Sequence, residues 1–240
     1  MFSAIKSFLE LCRISNLPTV WTNVLTAVVL SVSGFSWFNF LILGISMSFF
    51  YSGGMCLNDI CDADIDRIKK PFRPLPSKRV SIKNAYLLTI VLFVIALAFL
   101  LFVPHKVAIF TGFMLLVVII AYDMFHKVHP VSVVLMAACR LMIFVITAIA
   151  VTGTIGLFVA IAGSVQFVYI LVLSMITRYE KNPPFSKSGM KGFSIIPLMI
   201  AFISLIDGVV MAIFVSPEWL AAGASGTILT LFGQRYFKGD

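Results

Sequence analysis

The chain has 240 residues, 60% of them apolar and 12% charged, with 23 Phe and a mean hydropathy of +1.06. A soluble fold cannot cover that much apolar surface, so lipid must form part of its solvent. The net charge of +8 does not mark a nucleic-acid partner, because no aromatic-basic module accompanies it, and in so apolar a chain basic residues mark cytoplasmic loops.

Taken in chain order, apolar stretches of about 18–23 residues, enough to cross about 30 Å of hydrocarbon, predict spans at 18–35, 37–57, 84–103, 106–122, 130–152, 155–177, 193–215 and 217–233. The fold class expected is all-α: a polytopic transmembrane bundle of about eight helices. Lys6, Glu10 and Arg13 lead directly into the first span, so no cleavable signal is expected. Cys12, Cys56, Cys61 and Cys139 lack a paired metal spacing and read as small packing residues. With the N-terminus inside, sixteen of the eighteen Lys and Arg fall on the inner side, the exceptions being Lys106 and Arg140. That bias predicts cytoplasmic N- and C-termini and an even number of spans. Two inner loops are long enough to carry chemistry, Asn58 to Lys83 and Arg178 to Gly192. Each follows a helical hairpin, in the manner of a weak internal repeat.

The first of these loops opens with NDICDADID at Asn58 to Asp66. At 100° per residue Asn58, Asp59, Asp62 and Asp66 share an arc of about 100°, whereas Asp64 lies opposite. If the second span continues as a helix, these carboxylates crowd its C-terminal end, where repulsion and the helix dipole both disfavour them. A bound Mg²⁺ would offset both penalties, since it takes a few carboxylate oxygens together with water and phosphate. The bland alternative is a solvated or helix-capping acidic run. Against it, Arg67, Lys69, Lys70, Arg73, Lys78 and Arg79 follow at once, and acids beside bases suit a diphosphate held by metal on one side and guanidinium groups on the other.

The segment NDICDADIDRIKKPFRPLPSKRVS resembles the first aspartate-rich motif of the UbiA superfamily of intramembrane prenyltransferases. Weaker likeness covers RISNLPTVWTNVL at Arg13 to Leu25, and Tyr122 with Lys127 after the fourth span. The narrower likeness is to the UbiA-like proteins of bacterial ebo gene clusters. The resemblance implies helices around a central cavity open to lipid, in a multi-pass protein of a bacterial inner membrane. It further implies transfer of a prenyl group from its diphosphate to a membrane-accessible acceptor. Carried onto this chain, Asn58, Asp59, Asp62 and Asp66 would hold Mg²⁺, with the three aspartates catalytic. Arg67, Arg73 and Lys127 would contact the diphosphate, and Asn16 lies in the second resembling stretch.

The loop after the sixth span departs from the family pattern. It reads TRYEKNPPFSKSGMKG, with Glu180 its only acid among Arg178, Lys181, Lys187 and Lys191. Arg178 and Lys181 are therefore expected to face the first motif and neutralise charge where the family places a second metal. Arg140 stands about ten residues, roughly 15 Å, into the fifth span. An intramembrane Arg faces the bundle interior, so it is a candidate for an anionic substrate or for an ion pair with Asp207. His126 and His129 read as a solvated turn. Two functions follow: a Mg²⁺-dependent prenyltransferase with an unidentified acceptor, or a catalytically degenerate isoprenoid- or lipid-binding protein associated with export.

Overall fold

A computed structural model describes residues 2–31, 35–125, 129, 131–179 and 195–236. An amphipathic helix, α1 (Phe2–Leu11), ends where Arg13 adopts a left-handed conformation with φ 46°, and a short 3-10 turn leads into α2 (Leu17–Ser31). Then come α3 (Trp37–Lys69), α4 (Ile82–Phe99), α5 (Ala108–Phe125), α6 (Ser132–Thr152), α7 (Leu157–Tyr179), α8 (Ile196–Phe214) and α9 (Leu220–Tyr236). All eight expected spans are thus present as helices, and α1 is an addition. Six of them, α3 to α8, are long and apolar enough to cross a membrane. The protein is a multi-pass integral membrane helical bundle.

Local chemistry sets several helix boundaries. Ser36 and Ser81 accept hydrogen bonds from the backbone N–H of Asn39 and Asn84 and so start α3 and α4. Gly153, at φ 75°, ends α6 in a conformation that side chains with a Cβ rarely adopt. Lys106 donates to the carbonyls of Leu101 and Val103 just past α4 and thereby uses its charge at a helix C-terminus.

The short helix α2 is the hub, packed against α3, α6, α7, α8 and α9. Its position explains its sequence: Thr19, Thr22, Asn23 and Thr26 are all buried, and polar side chains inside a membrane bundle must find partners on neighbouring helices. Helices α8 and α9 approach closely at Gly208 and Gly223, where a Cβ on Gly208 would stand 2.7 Å from the Gly223 Cα. Large apolar side chains such as Leu87, Ile90, Phe110, Val117 and Val168 are exposed and form the surface presented to lipid.

Candidate functional site

The acidic segment belongs to a helix. Helix α3 runs 33 residues, from Trp37 to Lys69, about 50 Å at 1.5 Å per residue, so its last turns stand beyond the hydrocarbon. Residues 58–69 are therefore the helical extension of a span, and of the expected 58–83 loop only 70–81 is irregular. Charge ended the apolar pattern there without ending the helix.

This geometry separates the aspartates. Asp59 and Asp66 are buried, at 5% and 6% exposure, and Asp62 is half-buried. Asp64 turns away, with its side chain 90% exposed and paired to Arg67 at 3.2 Å. Arg67 thus lies on the solvent side of α3 with Asp64, apart from the face it was expected to serve.

After α3 the chain folds back through a compact turn, in which Ser77 N–H donates to the Arg73 carbonyl and Lys78 is left-handed at φ 60°. The turn aims Arg73 at the motif. Its Nη1 lies 2.6 Å from Asp66 Oδ2 and 3.3 Å from Asp59 Oδ1. From the other side Arg13 Nη2 reaches the same Asp59 oxygen at 3.0 Å. Burial works against the Arg13 charge, yet Asp59 beside it holds its pKa above the ordinary arginine value. Asp59 is therefore the centre of a buried ion-pair cluster joining the start of α2, the body of α3 and the following turn.

On the neighbouring side of α3, Asn58 Nδ2 donates to Asp123 Oδ1 at 3.1 Å. Asp123 sits in the last turn of α5 and is 3% exposed. Together with Arg13, Asn58 and Tyr122, it borders the mouth of a cavity of about 170 Å³. The cavity descends to an apolar floor that includes Met47, Phe50, Leu115 and Ile143. Polar groups at one end and hydrocarbon at the other match an amphiphile with an anionic head.

Arg140 lines the same cavity. Its Nη1 donates to Asn23 Oδ1 at 2.6 Å and its Nη2 to Thr19 Oγ1 at 2.8 Å, and its guanidinium lies 5.7 Å from the Tyr51 ring centroid. The expected direct pair with Asp207 is replaced by a relay. Asn23 Nδ2 donates to Asp207 Oδ2 at 2.7 Å, while Gln166 holds Oδ1 at 2.7 Å. An amide between the charges satisfies both, and α2 holds it there because it packs between α6 and α8. Asn16 also lines the cavity, donating to the Tyr51 hydroxyl at 3.3 Å and accepting from Gln234 at 3.1 Å.

Arg178 donates to the His129 carbonyl at 3.2 Å and to Ser132 Oγ at 3.1 Å, which places it at the start of α6. Lys127, Lys181, Glu180 and His126 lie outside the described residues. Sequence reasoning missed Asp123 and the ion-pair role of Arg13. Asp123 did leave a signal, being the sole charged residue of an otherwise apolar helix and placed at its C-terminus, where a carboxylate is disfavoured.

Among the described residues no three acidic, histidine or cysteine side chains converge on one point. Mg²⁺ does not need three, because it commonly binds through one or two carboxylates and completes its shell with water and substrate phosphate. The all-oxygen set of Asn58, Asp62 and Asp66 on one helix face fits that chemistry. Asp59 fits it less well, since two guanidinium groups already share its Oδ1.

A family model described as the UbiA prenyltransferase family matches residues 17–235. The chain is 33% identical over 103 residues to the digeranylgeranylglyceryl phosphate synthase of Saccharolobus solfataricus, covering 40% of this chain and 34% of that one. It is 43% identical over 83 residues to the synthase of that name from Methanococcus vannielii, covering 34% and 30%. The matched stretches thus span about a third of the length of these curated relatives. Among solved structures, one from work on digeranylgeranylglyceryl phosphate synthase in membranes superposes with a TM-score of 0.66 at 20% identity, covering 95% of this chain and 85% of that one. A UbiA homologue from Archaeoglobus fulgidus bound to DMAPP and Mg²⁺ gives 0.62 at 15% identity, covering 97% and 86%. These likenesses establish a shared fold.

Proposed function

Because the chain belongs to the UbiA prenyltransferase family, we propose that it is a Mg²⁺-dependent intramembrane enzyme that transfers a prenyl group from its diphosphate to a membrane-accessible acceptor. The observation that carries this reading is the junction of three features. Asn58 and Arg13 border the mouth of a largely apolar cavity, Asp62 and Asp66 follow Asn58 on the same helix face, and Arg73 is fixed against Asp66. The digeranylgeranylglyceryl phosphate synthases that the chain resembles, and the similar structures bound to DMAPP or GPP with Mg²⁺, support the same substrate class.

In this reading Asn58, Asp62 and Asp66 hold the metal and Asp59 fixes Arg13 and Arg73. When bound, Mg²⁺ neutralises charge on the leaving diphosphate. The chain's own residues do the rest. Arg13 presents a permanent positive charge at the mouth, and the apolar floor takes the prenyl tail and excludes water. Scission of the C1–O bond leaves the electron pair on the diphosphate. The acceptor nucleophile then bonds to C1 and loses a proton. Tyr51 and Tyr122 line the same cavity, and aromatic rings there can stabilise developing allylic charge. Arg178, in the last turn of α7, and Lys181, in the segment that follows, supply further positive charge.

Purified protein in lipid, given labelled prenyl diphosphates of several lengths, Mg²⁺ and a membrane extract as acceptor source, should release diphosphate and form a labelled lipid. Chelation of the metal should abolish both. Binding of the diphosphate with no release under any condition would reject catalysis in favour of a non-catalytic isoprenoid-binding role, to which the acid-poor second loop lends its only support.

The orientation we infer has both termini in the cytoplasm of a cell membrane. Its support is the inner-side bias of Lys and Arg. The ebo likeness points to a bacterial membrane, whereas the synthases from Saccharolobus solfataricus and Methanococcus vannielii are archaeal. A cysteine introduced at Ser77 in a cysteine-free background should react with an impermeant thiol reagent only from the cytoplasmic side, and labelling from outside would invert the topology.

A further inference from the structure

On the far side of the Arg13–Asp59–Arg73 cluster lies a second concavity of about 400 Å³, bordered by Lys6, Glu10, Arg13, Asp59, Phe72, Arg73, Pro74, Arg79, Arg235 and Tyr236. It is assembled from α1 and the residue Arg13 after it, α3 with the turn that follows, and the end of α9. Within it most charges cancel locally. Arg79 pairs with Glu10 at 2.8 Å and also donates to the Phe72 carbonyl at 2.6 Å, which pins α1 to the turn. Arg13 and Arg73 are matched by Asp59 and Asp66. Lys6 and Arg235 remain. Both are exposed, and among the described residues neither pairs with a carboxylate.

Among the described residues, two cations without a carboxylate partner thus face one cleft. Positive charge gathered on one cleft attracts an anion to it. The cleft also has an apolar margin, with Phe72 58% and Tyr236 61% exposed. Exposed aromatic rings beside basic side chains, at the inner ends of membrane helices, are placed at the depth of lipid headgroups. The cleft is rigidly backed, because Leu11 of α1 packs with Cys56, Ile60, Leu75 and Val80, leaving Lys6 on the opposite, outward side of that helix.

We propose that this cleft is a binding site for the phosphate of an anionic lipid headgroup of the inner leaflet, distinct from the cavity although Arg13 borders both. Lys6 and Arg235 supply the charge, and Phe72 and Tyr236 flank the acyl-glycerol portion. Occupation would tie α1 and α9 to the turn that carries Arg73, so the bound lipid braces the acidic motif from outside. The site needs no metal and no prenyl diphosphate.

The test measures lipid retention by the purified full-length chain, using native mass spectrometry with phosphatidylglycerol, phosphatidylcholine and inorganic phosphate as probes. Wild type should retain phosphatidylglycerol in preference to phosphatidylcholine. The double variant Lys6→Gln, Arg235→Gln should bind it about thirty-fold more weakly, as expected for two interfacial charges. Lys83→Gln, which removes an exposed charge outside the cleft, should bind as wild type does. Equal retention by wild type and the double variant, or an equal loss in Lys83→Gln, would overturn the site in favour of diffuse surface charge. Inorganic phosphate bound as tightly as phosphatidylglycerol would overturn the lipid assignment and make the cleft a site for a soluble phosphate.

Discussion

Replacing Arg73 with alanine is expected to destabilise the protein by about 3–5 kcal/mol, the usual cost of removing one member of a buried ion pair. Its guanidinium is 9% exposed and touches Asp59 and Asp66, whose side chains are 6% and 8% exposed. Among the described residues, truncation would leave Asp59 with Arg13 as its ion-pair partner and Asp66 without the ion pair that anchors it, both in a site water scarcely reaches. Most of the loss comes from stranding a carboxylate, so Asp66→Asn in the same chain should recover part of it. Arg73→Lys should fall between, because an ammonium keeps the charge but cannot bridge two carboxylates with a planar fork. By contrast, Arg67→Ala should change stability by less than about 1 kcal/mol, because an exposed i,i+3 pair with Asp64 contributes little. Denaturant or thermal unfolding in lipid measures all four; equal effects at Arg67 and Arg73 would contradict the burial-based account.

The order of the helices and the face of the acidic motif were legible because each depends on one helix at a time. Hydropathy and length located the spans, and a period of 3.6 residues alone separated Asp59, Asp62 and Asp66 from Asp64, whose side chain is 90% exposed. Partnerships between helices were not legible. Arg140 and Asp207 were matched by charge, but Asn23 stands between them, and only the packing of α2 against both α6 and α8 shows why an amide bridges two charges there. Arg67 was grouped with Arg73 as part of one basic tail. The helix continues through Arg67 and turns it to solvent, while the fold-back after Lys70 carries Arg73 inward. Asp123 escaped notice for a similar reason, since its importance comes from Asn58, 65 positions away in the chain.

The central claim is that a metal-assisted diphosphate site is built on one face of α3, and Asp62 and Asp64 provide the matched pair that tests it. They are two residues apart, carry the same charge and belong to the same helical turn, so neutralising either removes one negative charge from the same end of α3. Only Asp62 shares the face of Asn58 and Asp66. Loss of a group that stabilises developing charge costs about a hundred-fold or more in rate. The decisive measurement is Mg²⁺-dependent release of diphosphate from a prenyl diphosphate by Asp62→Ala and Asp64→Ala proteins shown to be equally folded. The account predicts a loss of about a hundred-fold or more for Asp62→Ala and a rate near wild type for Asp64→Ala. Equal rates in the two variants would show that diffuse negative charge, not a site on one helix face, is responsible.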